Sequence, residues 1–294
     1  MLFRKITIVG VGLLGGSIAL AVRRRGLAAE IAGYVRSEKG VVDCEKYAAT
    51  DYATTDLLAA VSGADLVILG TPLAQMAALA ERMLPALKPG AMVTDVGSVK
   101  GGVVRQLEPL ITKSGACFIG SHPMAGSEKT GLTAARADLF ENAVCVVTPT
   151  KRSSAVAVRK LTRFWRALGG RVMFLAPARH DLLVGRSSHL PHVVAAALAA
   201  LVLDPKQPKQ QAALCATGFR DTTRIASGSP EMWRDIALAN PKNLAKSLDN
   251  YMKDLRKFQS ALKTGNATVI ERFFQTAKAR RDFWCANGTG NHSE

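Results

Sequence analysis

What this sequence is short of narrows it first. Aromatic residues make up only 6% of it, and its basic residues are scattered apart from Arg23-Arg24-Arg25, Lys151-Arg152 and Arg280-Arg281. It therefore offers no basic stripe interleaved with aromatics for nucleic acid. Its five cysteines, Cys44, Cys117, Cys145, Cys215 and Cys285, are too few and too dispersed for a disulfide framework. No C-x-x-C pair marks a zinc or redox site, so no metal is expected. The longest apolar run is the 11 residues from Val193 to Leu203, against about 20 for a membrane span. Acidic residues are scarce as well: 23 against 39 Lys plus Arg, a formal net charge of +16. Such a surface attracts anions. Without a dedicated patch, it reads as a solvated basic surface that draws in anionic small molecules. A soluble, cytoplasmic protein with a small-molecule ligand, and with neither nucleic acid nor membrane as partner, is the expectation.

What is present is globular. The 294 residues, 48% hydrophobic, suffice for two domains of ordinary size. The stretch Met1 to Arg25 imitates a signal peptide, with an early Arg-Lys and an apolar run, but its glycines stand at a nucleotide-loop spacing. A β-rich run, Ile6 to Val9, leads into Gly10-Val11-Gly12-Leu13-Leu14-Gly15-Gly16-Ser17 and then a helical run to Arg25. This is G-x-G-x-x-G between strand and helix. Its glycines permit a tight turn, close approach of backbone to a pyrophosphate, and helix-on-strand packing. The helix N-terminus then faces the phosphates.

Ile31 to Val35 reads as the second strand. Dinucleotide sites that prefer NAD usually carry an acid at its end, for the ribose 2′-hydroxyl. Arg36 and Ser37 stand there instead and suit the 2′-phosphate of NADP. In the competing reading, Arg36 is a surface residue and Glu38 does the acid's work. NADP is the expected cofactor, with NAD the alternative. Gly10, Gly12, Leu13, Leu14, Gly15, Arg36 and Ser37 are its expected contacts, together with Thr71 and Pro72 beyond a later strand.

Further β-rich runs follow at Leu66 to Leu69, Met92 to Asp95, Cys117 to Gly120, Val144 to Val147 and Val172 to Leu175, with helical stretches such as Gln75 to Leu87 and Ser154 to Leu168 between most of them. Alternation of this kind implies a mostly parallel, doubly wound sheet. After Pro177 the β-rich runs stop. Ala178 to Leu203 reads as a long helical span that Pro191 should break or kink. Val193 to Leu203 is apolar nearly all round, as in a buried helix. Gln207 to Ala226 reads as helical. Ser229-Pro230-Glu231 looks like an N-cap followed by proline at the first helical position. Pro241 to Leu262 and Ala267 to Trp284 complete a helical bundle. The fold class is thus α/β followed by all-α: a Rossmann-type dinucleotide domain over 1–176, a helical substrate and dimerisation domain over 177–285, and a polar, glycine-rich, disordered tail over 286–294. Sequons at Asn266 and Asn287 matter only in a secreted protein.

Gly120-Ser121-His122-Pro123-Met124-Ala125-Gly126-Ser127-Glu128 places a histidine where a strand ends, at the edge where open α/β folds bind ligands. With an ordinary pKa of about 6.5, His122 can take a proton near neutrality. It is either a general base or a histidine that caps a loop. In the helical half, His180, His189, His192 and Arg224 do not fit a bundle core. Each is either a satisfied polar residue or a site residue. His189 and His192 share a helix face, but no acid at matching spacing completes a metal site.

Taken in order, several segments resemble the prephenate/arogenate dehydrogenase family of tyrosine biosynthesis. They are the Gly10 to Ser17 loop, Asp95-Val96-Gly97-Ser98-Val99-Lys100, the His122 segment, Ser188-His189-Leu190-Pro191-His192, Gly218 to Ala226 with Arg224, and Met232-Trp233-Arg234-Asp235. The resemblance runs from residue 5 to about 285. No chorismate mutase or regulatory ACT domain is visible, which implies the monofunctional, unregulated form. By position it implies that His122 is the catalytic base and that Ser98 bonds the same substrate hydroxyl and helps position His122. It implies that Arg224 holds a substrate carboxylate. His189 and His192 become an active-site pair, His180 a further histidine near the pocket, and Ser127 and Glu128 the lining of its entrance. Trp233 falls near the substrate. Arg36-Ser37 departs from the members that carry an acid there.

The reaction so implied is oxidative decarboxylation of prephenate or arogenate with hydride transfer to NAD(P), by a homodimer. No residue decides between the two substrates. Two rivals stand beside it. Another hydroxyacid dehydrogenase would share the loop, but such families generally use a lysine base on a helix. A nucleotide-sensing protein would need neither His122 nor Arg224.

Overall fold

The computed structural model describes residues 1–127 and 129–287. Strand β1 (Phe3–Val9) runs into a glycine turn and α1 (Leu13–Arg24), then β2 (Ala28–Tyr34), α2 (Glu38–Lys46), β3 (Tyr52–Thr54), α3 (Leu57–Val61), β4 (Leu66–Leu69), α4 (Leu73–Met83), β5 (Met92–Asp95), α5 (Gly101–Thr112) and β6 (Cys117–Phe118). These six strands form one sheet in the order β3-β2-β1-β4-β5-β6, parallel throughout. Its central strand β4 is apolar without alternation because both faces are covered by helices: all four of its residues are buried. Each such fully buried aliphatic side chain contributes about 1.5–3 kcal/mol, so this layer anchors the chain. Short β3, between α2 and α3, has too few apolar residues to stand out in the sequence.

The remaining strands correct the expectation of a single sheet. After β6 the chain enters β7 (Gly120–Pro123), which pairs antiparallel with β8 (Val144–Thr148). This strand in turn pairs parallel with β9 (Arg171–Phe174), beyond α6 (Ala155–Ala167). The run Cys117 to Gly120 is therefore two strands in two sheets. Gly120 makes the crossing: a Cβ there would stand 2.6 Å from Thr148 Oγ1 and 2.8 Å from Val104 Cγ2, so only glycine lets the chain pass. His122 consequently lies inside a strand of the second sheet, opposite Val146, rather than at the end of a parallel strand.

Helices alone follow β9. Helix α7 (Pro177–Val184) passes through one π turn (Gly185–His189) into α8 (Leu190–Val202). Pro191 was expected to break or kink this span. It falls in the first turn of α8, where its missing N–H is no loss, and the π turn ahead of it absorbs the register change. Helices α9 (Lys209–Ala213) and α10 (Thr217–Thr223), a 3-10 turn (Arg224–Ser227) and α11 (Pro230–Ala239) come next. Ser229 caps α11, accepting a hydrogen bond from the Met232 amide at 3.3 Å. The expectation of a buried α8 is not met within the chain. Only Ala195 of that helix is buried, and Leu201 is 68% exposed.

The chain divides into two compact units, residues 1–243 and residue 244 onward. The second consists of most of α12 (Pro241–Lys263) together with α13 (Ala267–Asn287). Phe258, Phe273 and Phe274 join these two helices, with ring centroids 4.8 to 5.6 Å apart. Ala286 and Asn287, expected in the tail, belong to α13; residues 288–294 lie outside the described residues. Among the described residues no helix is long and apolar enough to cross a membrane.

Candidate active site

The glycine loop is built by exclusion. Gly10 sits at φ +97°, a left-handed conformation, and a Cβ on Gly15 would lie 2.1 Å from the Gly10 carbonyl oxygen. Both are glycine because the turn itself demands it. Gly12 is different: a Cβ there would meet nothing within 4 Å. Its smallness is explained by something outside the chain, as close approach of a pyrophosphate requires. Gly12 also begins α1 without a side-chain cap, and the first turn carries no acid, leaving amides and the positive end of the helix dipole free for phosphate. Leu13 and Leu14 open that helix and are half-buried. Thr71, beyond β4, presses its methyl toward Gly10, and its hydroxyl is buried without a partner among the described residues; Pro72 begins α4. The loop therefore fits a dinucleotide. Arg36 is exposed just past β2, and Ser37 caps α2, accepting from the Gly40 amide at 3.4 Å. Glu38 accepts a hydrogen bond from Thr55 at 3.1 Å.

A second constellation forms where β5 ends, since β1 and β5 flank β4 and deliver their turns to one edge. Asp95 and Lys100 are both fully buried and paired. Lys100 also donates to the Ser121 carbonyl at 2.8 Å. The Ser121 hydroxyl donates to the Asp95 carbonyl at 2.6 Å, and its amide donates to the Asp95 carboxylate at 3.2 Å. These bonds stitch β7 to the end of β5 and so fix His122. A buried ion pair is sustained only when its partners find further hydrogen bonds: Asp95 accepts from the Gly97 and Ser121 amides, and Lys100 donates to the Ser121 carbonyl. Burial still pushes the Lys100 pKa down, against the pull of Asp95.

His122 is buried, and its Nδ1 lies 2.9 Å from His180 Nε2. The other ring nitrogen of His180, Nδ1, lies 2.8 Å from Asp181 Oδ1. Asp181 accepts from the Lys100 amide at 2.7 Å and the Gly101 amide at 2.8 Å, at the start of α5. His180 was expected beside the substrate. With both ring nitrogens engaged and no exposure, it stands behind His122 instead. Desolvation, aided by the neighbouring His180, Lys100 and His189, holds the His122 pKa well below its ordinary value. It is therefore a neutral imidazole at physiological pH.

His189, the last residue of the π turn, is buried, and desolvation lowers its pKa to about 4. Its Nδ1 lies 3.3 Å from Asn240 Nδ2, and Asn240 also donates to the Asp181 carbonyl at 2.8 Å. His189 Nε2 is buried without a partner among the described residues. The main chain of Ser98 faces this ring, whereas the ring contact of His122 is with His180. The Trp233 ring meets His189 edge-on at 6.2 Å and stacks on His192 at 3.7 Å. Trp233 packs so tightly over Gly228 that a Cβ there would lie 2.7 Å from its Nε1. Desolvation lowers the pKa of His192, which bonds to the Ser188 carbonyl at 2.9 Å, and the charge of Arg224 lowers it further. His122 thus meets His180, Trp233 meets both His189 and His192, and the charge of Arg224 reaches His192. Arg224 lines an open concavity with Arg220, Phe219, Thr223, Cys215 and Ser227.

Of the expected entrance residues only Ser127 is described. Ser127 is exposed, its hydroxyl accepting from the Lys129 amide at 3.1 Å. Glu128 lies outside the described residues. Asp181, Asn240 and the Asp95–Lys100 pair were not singled out from sequence. Asp95 and Lys100 lie in a motif that drew attention to Ser98, and Asp181 directly follows His180, but neither position reveals its partner. Among the described residues no cluster of His, Cys, Asp and Glu could hold a metal.

Comparison with known proteins agrees along the whole chain. Residues 18–174 match the family model described as prephenate dehydrogenase, nucleotide-binding domain, and residues 176–276 that described as prephenate dehydrogenase, dimerization domain. Cyclohexadienyl dehydrogenase of Zymomonas mobilis is 33% identical over 95% of this chain and 95% of its own length. Prephenate dehydrogenase from A. aeolicus, solved with hydroxyphenyl propionate and NAD+, superposes with a TM-score of 0.88 at 32% identity, covering 95% of this chain and 98% of that one. The arogenate dehydrogenase of Synechocystis does so with a TM-score of 0.80 at 33% identity, over 95% and 99%. Nucleotide loop, buried histidine array and helical half together make this chain a member of the prephenate dehydrogenase family.

Proposed function

We propose that this protein oxidatively decarboxylates prephenate, arogenate or both, passing hydride to NAD(P) and giving 4-hydroxyphenylpyruvate or tyrosine. The observation that carries this reading is the buried imidazole of His122 in the sheet half, backed by His180, together with the Trp233-bridged histidine pair of the helical half that feels the charge of Arg224. The substrate has a ring hydroxyl at C4 and a carboxylate at C1. The bound cofactor supplies the hydride acceptor at C4. His122 takes the hydroxyl proton, help of a kind typically worth about 10²–10⁴-fold. The carbonyl forming at C4 draws in the electrons released as the C1 carboxylate leaves as CO2, and aromatisation makes the step irreversible. Arg224 binds a substrate carboxylate by a two-point, charge-assisted contact. His189, His192 and Trp233 wall the pocket, Ser98 bonds the reacting hydroxyl, and Ser127 and Glu128 line the entrance. The basic protein draws the anionic substrate inward.

For the cofactor we propose NADP, on the exposed Arg36 and the Ser37 hydroxyl at the end of β2. Arg36→Asp should then lower the kcat/KM for NADP and raise it for NAD. A native enzyme that uses NAD better than NADP contradicts this assignment. The exposed apolar side chains of α8 support a homodimer formed through the helical half. Dependence on a soluble nicotinamide cofactor supports a cytoplasmic enzyme.

The deciding assay incubates the purified protein with prephenate and, separately, arogenate, each with NAD and with NADP. It follows both the absorbance of reduced nicotinamide and the release of CO2. Equal amounts of the two products with either substrate support the proposal. Cofactor reduction without CO2 points to another hydroxyacid dehydrogenase, and no reduction at all to a nucleotide-sensing protein.

A further inference from the structure

The hydrogen bonds behind His122 determine which of its nitrogens faces the reaction. A carboxylate can only accept. With a single ring proton, His180 therefore carries it on Nδ1, 2.8 Å from Asp181 Oδ1. That leaves His180 Nε2 as an acceptor. The contact 2.9 Å away at His122 Nδ1 can then be a hydrogen bond only if His122 carries its proton on Nδ1. It follows that His122 Nε2 bears a bare lone pair. Asp181 is itself held in register by the Lys100 and Gly101 amides. The array is dry, with His180 fully buried and Asp181 6% exposed.

We infer that Asp181 and His180 are positioning residues that lock His122 in the base-competent tautomer and share the proton it takes, so that the proton is kept and returned rather than lost to solvent. This inference rests on the functional reading above. When the C4 hydroxyl proton bonds to His122 Nε2, the Nδ1 proton shifts toward His180 Nε2, and the resulting positive charge faces the Asp181 carboxylate. Two electrons leave C4 as hydride to the nicotinamide. The C1–carboxylate bond then breaks, its electron pair reaches the C4 oxygen through the ring, and that oxygen takes a proton back from His122 Nε2 as the phenol forms. The cycle needs no net proton from bulk water, which suits a relay ending on a buried carboxylate.

The neighbouring His189 is set the opposite way. Asn240 Nδ2 can only donate, so His189 Nδ1 accepts, and the His189 proton sits on Nε2, the buried nitrogen without a partner among the described residues. His122 thus presents a lone pair, while His189 carries its N–H on a ring that the Ser98 main chain faces. The charged and titratable groups that face His122 are His180 and Asp181 on α7, His189 on the π turn, Lys100 at the start of α5 and Asp95 at the end of β5.

The test reads tautomers directly. In the native protein with ¹⁵N-labelled histidine at neutral pH, long-range ¹H–¹⁵N correlations should show Nδ1–H for His122 and His180 and Nε2–H for His189. An Nε2–H tautomer at His122 overturns the inference, whatever the enzyme turns over. The second arm is Asp181→Asn, whose amide can donate to His180 Nδ1 and reverse the array. It should convert His122 to the Nε2–H form and lower kcat by about 10²-fold or more, within reach of the about 10⁴-fold cost of a wrong tautomer in a serine-protease triad. The Kd for cofactor should stay unchanged, and Asp181→Glu should restore part of the kcat. An Asp181→Asn protein with native kcat and native pH profile overturns the relay. If that variant does not fold, the native tautomers still decide. Failure of the native enzyme to turn over either substrate would refute the functional reading instead, leaving the tautomer result standing.

Discussion

The sheet half and the helical half of this chain are explained by different things. In the sheet half, the apolar residues are consumed internally: Ile6, Ile8, Ile18, Leu66, Ile68 and Leu69 are fully buried, and Gly15 is glycine because the Gly10 carbonyl leaves no room for more. From Pro177 onward the apolar residues are often left outside. Leu201, Leu214 and Leu238 are each more than two-thirds exposed, while the most deeply buried side chains include His180 and His189. One half is shaped by its own packing, and the other keeps apolar side chains outside and polar ones within. A substitution should therefore disturb stability in the first and function in the second.

The glycine loop puts both kinds of cause within a few residues, so it breaks the comparison most sharply. Gly15→Ala must displace a backbone carbonyl and should cost about 4 kcal/mol or more, at the upper end for single substitutions. Gly12→Ala adds a methyl to open space, so its Tm should stay native while the Kd for NADP rises about tenfold, or about 1.4 kcal/mol. Thermal melts with and without cofactor separate the two. Equal losses of Tm would mean that Gly12, too, is fixed by packing.

The buried histidines give the next largest effect. His189, at about 4 in the folded protein, and His122, well below its ordinary value, both bind protons less readily than in the unfolded chain, where the value is about 6.5. Their contribution to stability is thus complete above pH 6.5 and is lost as the pH falls toward 4. For His189 alone the loss is on the order of 2–3 kcal/mol. Urea midpoints measured between pH 7 and pH 4 should fall, and His189→Gln should flatten the slope. A flat native profile would contradict the burial of neutral imidazoles.

Arg224 should act on function with little effect on stability. Removing a charge-assisted contact of about 1.5–3 kcal/mol raises substrate KM by about 10- to 150-fold in Arg224→Ala, with cofactor affinity unchanged. Lysine should rescue it only in part. Arg220, which lines the same concavity, is the control. If Arg220→Ala raises KM and Arg224→Ala does not, the carboxylate belongs to the other arginine.

The same contrast explains what could be read before the structure. Strand β4 was legible to the residue because an unbroken apolar run between turn residues records burial on both faces. The glycine loop was legible because its spacing encodes backbone geometry. The second sheet was not: β6 and β7 are separated by one residue, and no local pattern says that Gly120 carries the chain into different pairing. The burial of α8 was misread because an apolar helix looks alike whether its own chain or another molecule covers it. Within the site, His122, His189, His192, Trp233 and Arg224 could be named from their motifs. Asp181 and Asn240 could not: Asp181 touches its neighbour His180, but what holds it, and what Asn240 holds, lies at least 51 positions away in the chain.

The central claim is that His122 is the base, and the kinetics of His122→Asn test it most directly. Asparagine keeps a polar side chain of similar reach but cannot accept and return a proton at neutral pH. The variant should fold, bind NADP with native affinity and lose about 10²–10⁴-fold in kcat with whichever substrate the native enzyme uses. The native kcat should hold down to a pH below the ordinary histidine value before it falls, because imidazolium cannot accept the proton. A His122→Asn enzyme with near-native kcat would contradict the account.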